Sequence, residues 1–136
     1  MSTALPLRRK DYIRYFAALA LAAQSPCRYK IGAVLYRGKQ VLSSAHNIYR
    51  THTDHTDWKY FVNSIHAEHY TLLRAKTDTR GASIYVARAG GIGGTSKPCA
   101  MCQSYIVAAG ISYVIYTENH ILIKKHITQC IKSIKI

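Results

Sequence analysis

Two short segments carry metal-ligating residues at the starts of two predicted helices, and no other feature of this 136-residue chain constrains its fold as strongly. The first segment covers residues 64–68 (SIHAE) and the second covers residues 96–102 (SKPCAMC), and each follows a loop. Cys99 and Cys102 are three residues apart, so at the start of a helix they lie on one face and can share a metal ion. His66 would supply a third ligand, a nitrogen. We therefore expect a fold that brings the two helix starts together.

The chemistry of these residue types indicates a catalytic zinc site. A helix N-terminus favours the thiolate form of cysteine, which is the form that binds zinc. Three protein ligands leave the fourth tetrahedral position open to water, whereas a structural zinc would need a fourth protein ligand. Glu68 is close enough in sequence to His66 to take and return a proton of that water. A redox-active cysteine pair is the alternative, and Pro98 together with the distant His66–Glu68 pair argues against it.

The rest of the chain predicts helices and strands that alternate after an initial hairpin. A helix ends near Gln24, in a stretch that superficially resembles a secretory signal but carries the apolar stripe of a packed helix. We predict strands at residues 31–36, 40–45, 82–88 and 111–117, and helices at 64–76 and 99–109. Isoleucines at helical spacing predict a last helix at 124–133, with room for a short strand before it.

This order of elements predicts an α/β fold with a mixed sheet of four or five strands in a single domain over residues 1–136. Residues 1–10 form a basic N-terminal arm in this interpretation, and residues 119–136 form a Lys-rich tail. The polar segment 47–63 contains interspersed aromatic residues and is long for a structureless loop, which favours a functional role.

The two segments together resemble the signature of the zinc-dependent cytidine, deoxycytidylate and nucleic-acid deaminases, His-x-Glu followed by Pro-Cys-x-x-Cys. Residues 27–34 (CRYKIGAV) resemble the first-strand entry of deoxycytidylate-type deaminases, and residues 109–114 resemble their helix-to-strand step after the second motif. The resemblance covers about residues 11–118. It implies a three-layer α/β/α cytidine-deaminase-like fold and the hydrolytic deamination of an exocyclic amine on a nucleobase.

The resemblance also implies a role for individual residues. His66, Cys99 and Cys102 would hold Zn²⁺, and Glu68 would act as general acid and base toward a zinc-bound water and the base. Substrate contacts are expected from a further set: Asn47, Ala67, Ser96, Lys97 and Tyr116. Within this set, Asn47 would hydrogen-bond the sugar, the backbone at Ala67 would contact the base edge, and Tyr116 would stack on a base.

The net charge of the chain helps to choose between possible substrates. The chain has 19 Lys and Arg against 6 Asp and Glu, a formal net charge of +13 at pH 7. Such an excess favours nucleic acid as partner, with an anionic membrane surface second. We favour cytosine in DNA, single-stranded or flipped out of a duplex, because a mononucleotide with one phosphate does not need so many cations. Nucleic-acid contacts are expected from five residues: Arg50, His52, Trp58, Lys59 and Arg88.

Three other functions stay open. Free deoxycytidylate is favoured by resemblance, and adenosine in tRNA is compatible with Met101 before the second cysteine. The non-enzymatic alternative is a zinc-containing nucleic-acid-binding module, against which Glu68 argues as one of only two Glu residues.

Apolar runs are too short to span a bilayer. Four cysteines without a convincing export signal favour a metal or reduced thiols, and hence the cytoplasm. The oligomeric state is left open.

Overall fold

The computed structural model describes residues 5–49, 64–90 and 95–127. Three helices and seven strands follow one another in these ranges: α1 (Arg9–Ala23), β1 (Lys30–Arg37), β2 (Gln40–His46), β3 (Ile48–Tyr49), β4 (Ser64–Ile65), α2 (Ala67–Arg74), β5 (Ser83–Ala89), α3 (Ala100–Ala108), β6 (Tyr113–Glu118) and β7 (Ile121–His126). None of the helices in these ranges is long and apolar enough to cross a membrane.

Five strands form one mixed sheet in the order β2-β1-β5-β6-β7. Only β5 and β6 run parallel, joined through α3, while the other neighbouring pairs are antiparallel. The short strands β3 and β4 pair separately, with Ile48 opposite Ile65. The predicted α/β class and mixed sheet are therefore confirmed, with five strands in the main sheet.

Helices cover both faces of the sheet, giving three layers. On one face α1 packs on β1 and β5, and on the other face α2 packs on β1 and β2 and against α3. Successive strand residues point to opposite faces, so Val34 joins the core cluster under α1 while Ala33 and Leu35 join the cluster under α2 and α3. Gly32 lets α1 approach closely, because a Cβ there would lie 2.2 Å from the Ala18 carbonyl oxygen. Strands buried on both faces explain the continuous apolar runs in the sequence.

The predicted tail helix at 124–133 is wrong over its first three residues, which lie in β7. Asn119 and His120 form a two-residue turn with φ of 52° and 65°, the left-handed geometry that favours a tight hairpin. Beyond this turn β7 pairs antiparallel with β6, with Leu122 and Ile123 packing toward opposite core clusters. Cross-strand pairing thus outweighs the helical spacing of the isoleucines. Residues 128–133 lie outside the described residues.

The starts of two helices also differ from the prediction. The helix predicted from residue 64 begins at Ala67, because Ser64–Ile65 pairs with β3. The first helix begins at Arg9, inside the segment assigned to the basic arm, and the backbone N–H of Leu5 donates to the Lys124 carbonyl at 2.7 Å. The extent of the domain as a whole and the rest of the arm stay predictions.

A buried carboxylate joins α1 to the sheet. Asp11 is fully buried; it accepts a hydrogen bond from the Tyr85 hydroxyl at 2.6 Å, and its carboxylate lies 3.5 Å from Lys124 Nζ. Burial raises the pKa of Asp11, but the hydrogen bonds from Tyr85 and the Arg8 backbone and the charge of Lys124 outweigh it and hold the pKa below its ordinary value. The folded state therefore stabilises the ionised form.

We expect Asp11→Asn to lower the free energy of unfolding by about 2–3 kcal/mol at neutral pH, since it replaces a buried charged acceptor. Because the folded-state pKa is lowered, the stabilisation by Asp11 is present above the unfolded-state pKa and is lost as the pH falls through the folded-state value. Urea unfolding at neutral and acidic pH measures this difference. Glu118→Gln, which changes a carboxylate at the end of β6, is the control, and a pH-independent gap between wild type and Asp11→Asn would contradict the assignment.

Candidate metal centre and active site

The structure brings the three predicted metal ligands together. His66 immediately precedes α2, Cys99 precedes α3, and Cys102 lies in the first turn of α3. Their ligand atoms all lie within 4.8 Å of one another. His66 Nδ1 lies 3.3 Å from Cys102 Sγ and 3.7 Å from Cys99 Sγ. These distances bracket the separation of about 3.5 Å that tetrahedral zinc with ordinary Zn–S and Zn–N bonds requires.

The donor set itself selects zinc. Two thiolates and one imidazole are the ligands of a zinc site with an open fourth position, and no fourth His, Cys, Asp or Glu joins the cluster within the described ranges. Burial raises the pKa of the Cys102 thiol, and the charges of Glu68 and Cys99 add to the effect. A thiolate at this position therefore needs a cation beside it, which a bound divalent metal supplies. The three residues fit a zinc ion.

Hydrogen bonds fix the segment that carries Cys99 to β5 and β6. The Ser96 hydroxyl donates to the Val86 carbonyl at 2.7 Å and accepts from the Thr117 backbone N–H at 2.8 Å. Gln103 Nε2, one turn into α3, donates to the Pro98 carbonyl at 2.8 Å. Through these contacts both strands and the helix set where the first thiolate lies.

Glu68 lies beside the metal ligands in the first turn of α2 and is only 6% exposed. Burial raises its pKa to about 7, against a smaller opposing effect of its own backbone N–H. A carboxyl group in this range can both take and give a proton near neutral pH.

A cavity of about 770 Å³ is lined by His66, Cys99 and Glu68. Its volume falls within the range of small-molecule sites. Within the described ranges, three cationic side chains also line it, namely Arg28, Arg88 and Lys97, and Glu68 is the only carboxylate that does so. The cavity therefore combines a metal cluster, a buried acid and a cationic wall.

Two of these cationic side chains lie close to the ring of an exposed tyrosine, Tyr29. The guanidinium carbons of Arg28 and Arg88 lie 5.7 Å and 5.0 Å from the centre of the Tyr29 ring. Both arginines therefore lie within cation–π distance of one aromatic side chain that itself lines the cavity.

The residues predicted to contact the substrate or a nucleic acid have three outcomes. Asn47, Ala67, Ser96, Lys97 and Arg88 all line the cavity. Tyr116 does not: it is fully buried in the core cluster under α2 and α3, so the prediction that it stacks on a base is wrong. Layers on both sides of the sheet leave no room for a base beside this residue. Arg50, His52, Trp58 and Lys59 lie outside the described residues.

Asn47 supports the cavity wall through its own hydrogen bonds. Its Oδ1 accepts from the Ser25 hydroxyl at 2.6 Å and from the Ile31 backbone N–H at 3.0 Å, and its Nδ2 donates to the Tyr29 carbonyl at 2.6 Å. The contact of Asn47 to a sugar stays a prediction. The bonds we observe fix the segment that carries Arg28.

Sequence reasoning missed Arg28, Tyr29 and Thr95 as lining residues. Arg28 and Tyr29 belong to the segment 27–34 that carried part of the resemblance, so their position next to a matched strand was the available signal. Cys27 is 6% exposed and also lines the cavity.

Comparison with known proteins identifies the class. The family model described as the cytidine and deoxycytidylate deaminase zinc-binding region matches residues 8–118. The chain belongs to this family, and with the His66, Cys99 and Cys102 cluster it is a zinc-binding deaminase domain.

Among individual relatives, the chain is 32% identical over 96 residues to a protein of Aliivibrio fischeri described as an uncharacterized deaminase in the luxG 3' region. That match covers 66% of this chain and 59% of the relative, so the chain spans under two thirds of that protein's length.

Two solved structures share the fold. The dCMP deaminase of cyanophage S-TIM5 superposes with a TM-score of 0.61 at 19% identity, covering 79% of this chain and 82% of that one. A cytidine deaminase from Burkholderia pseudomallei gives a TM-score of 0.60 at 15% identity, covering 90% and 95%. These similarities confirm the cytidine-deaminase-like fold.

Proposed function

We propose that this chain hydrolyses the amino group of cytosine in a nucleotide, giving uracil and ammonia. The observation that carries the proposal is the position of Glu68, a buried carboxyl group that lines the same cavity as His66 and Cys99 of the metal cluster. A proton-transfer group and a three-ligand metal cluster in one cavity of nucleotide size are the components that hydrolytic deamination requires.

Each group has one task in this proposal. His66, Cys99 and Cys102 hold zinc, which when bound supplies Lewis acidity and lowers the pKa of water. Glu68 takes a proton from the attacking water and delivers it to the ring nitrogen of the base. A second proton passes through Glu68 to the amino group, which leaves as ammonia while the carbon that carried it keeps the water oxygen. Water and cytosine are consumed, and uracil and ammonia are formed.

The cationic wall of the cavity favours a substrate that carries phosphate. Arg28, Arg88 and Lys97 line the cavity beside the reaction centre, and a phosphate there meets three positive side chains. The S-TIM5 dCMP deaminase has been solved in complex with dCMP and dUMP, which supports deoxycytidylate as the simplest substrate for this chain.

Cytosine in single-stranded DNA is the second candidate substrate. The net charge of +13 favours it, because a strand of phosphates binds to an extended cationic surface and a single nucleotide does not need one.

Deamination of deoxycytidylate and of deoxycytidine by the zinc-loaded protein tests the proposal. We expect uracil products with higher kcat/KM for the nucleotide. Arg88→Ala should lower kcat/KM for deoxycytidylate by about 10- to 100-fold, as loss of a charged hydrogen bond does, and affect deoxycytidine much less. Arg74→Ala, an exposed arginine on α2 that does not line the cavity, is the matched control. Equal loss for both substrates would contradict the phosphate contact, and no uracil from either would contradict the function.

A further inference from the structure

A second cavity adjoins the one that holds the metal cluster. It has a volume of about 480 Å³ and lies between the C-terminal half of α1, the end of β5 and the turn between β6 and β7. Its lining includes two aromatic rings, Tyr15 and His120, together with Leu19, Ala23 and Thr117. None of its lining residues in the described part of the chain carries a carboxylate.

Arg88 lines both cavities. Its Nε is buried and has no hydrogen-bond partner within the described parts of the chain. A buried N–H of a charged group without an acceptor is costly, and an anion between the two cavities would satisfy it. The shared arginine therefore marks the border of the cavities as an anion position.

We propose that the second cavity binds the nucleotide adjacent to the target cytosine in a single-stranded nucleic acid, with the phosphate that links the two nucleotides at Arg88. This inference rests on the proposed function and extends it from a single nucleotide to a strand. Tyr15 and His120 offer ring faces or edges to a second base, and Leu19 offers apolar surface. An extended strand of phosphates also accounts for the net charge of +13.

A single strand fits this arrangement better than a duplex. The target base must enter the first cavity to reach Glu68, so it has to leave any base stack, and this costs least when the strand is unpaired. Its neighbour then lies unstacked from it, free to occupy a separate cavity.

A blocking variant tests the second cavity. Ala23→Trp places a large side chain at an exposed position that lines the second cavity and not the first, while Ala17→Trp adds the same side chain at an exposed position on the same helix that lines neither. The readout is the ratio of kcat/KM for a short single-stranded oligonucleotide to kcat/KM for deoxycytidylate. We expect Ala23→Trp to lower this ratio at least about fivefold, the lower range for loss of one stacked base, and Ala17→Trp to keep it.

A second variant tests the second cavity independently, should Ala23→Trp fail to fold. His120→Asn removes the imidazole and keeps a residue that tolerates the positive φ of this turn, and we expect the same direction of change. DNA and RNA oligonucleotides in parallel show which strand is used. An unchanged ratio in both variants would overturn the inference, as would deamination of deoxycytidylate with none of either oligonucleotide. The latter would leave the proposed function standing, whereas no product from any substrate would contradict the proposed function itself.

Discussion

Replacing Glu68 with glutamine will lower kcat for cytosine deamination by about a hundredfold to ten-thousandfold, the usual contribution of a general acid–base group. Glutamine keeps the size of the side chain but can neither take the proton from water nor deliver it to the base. Because Glu68 is not part of the metal cluster, the variant should keep its zinc. Rates by mass spectrometry of the products and zinc by atomic absorption provide the two measurements.

Glu118 provides the matched control, because it is the other glutamate of the chain and lies at the end of β6 without lining the cavity. Glu118→Gln should deaminate at the wild-type rate. A zinc-loaded Glu68→Gln protein that retains wild-type turnover would contradict the proton-transfer role. Wild-type protein that binds nucleotides without turnover would support the non-enzymatic zinc module instead.

The second large effect is expected at Cys102. Serine in place of this buried cysteine removes one of the three ligands, and its hydroxyl is a poor substitute for thiolate. We expect zinc affinity to fall more than about a hundredfold, beyond the loss that supporting residues around a metal cause. With less than one zinc ion supplied per chain, the Cys102→Ser variant should show no deamination. Since metal binding stabilises the folded state, the melting temperature of wild type should also fall on chelation, and that of Cys102→Ser should not.

Cys27→Ser separates a ligand effect from a general effect of losing a buried thiol. Cys27 is also buried, and it lines the cavity beside the metal cluster without being part of the cluster. The Cys27 variant should retain one zinc per chain. Equal zinc content in Cys102→Ser and wild type would contradict the ligand assignment.

The metal cluster and the general fold could be predicted because their signals are local. His66 and Glu68 lie two residues apart, and Cys99 and Cys102 three apart, so each half of the site is contained in one helix start. Apolar runs bounded by turn residues likewise marked four of the five strands of the main sheet. Such features depend little on the rest of the chain.

The features that were missed depend on distant contacts. The strand β7 exists because it pairs with β6 beyond a tight turn, whereas its isoleucine spacing alone favoured a helix. Tyr116 is excluded from the site because helices cover both faces of its strand. Arg28 reaches the cavity because Asn47, which lies between β2 and β3, hydrogen-bonds the segment 25–31. None of these relations is visible in a local sequence window.

The source of the oxygen in the product tests the central claim of hydrolytic deamination most directly. The zinc-loaded protein would be incubated with deoxycytidylate and with a cytosine-containing oligonucleotide in water enriched in heavy oxygen, and the base and the released ammonia would be quantified. The account predicts uracil carrying one heavy oxygen on the carbon that lost the amino group, with one ammonia per uracil. Unchanged cytosine, or uracil without heavy oxygen, would contradict it.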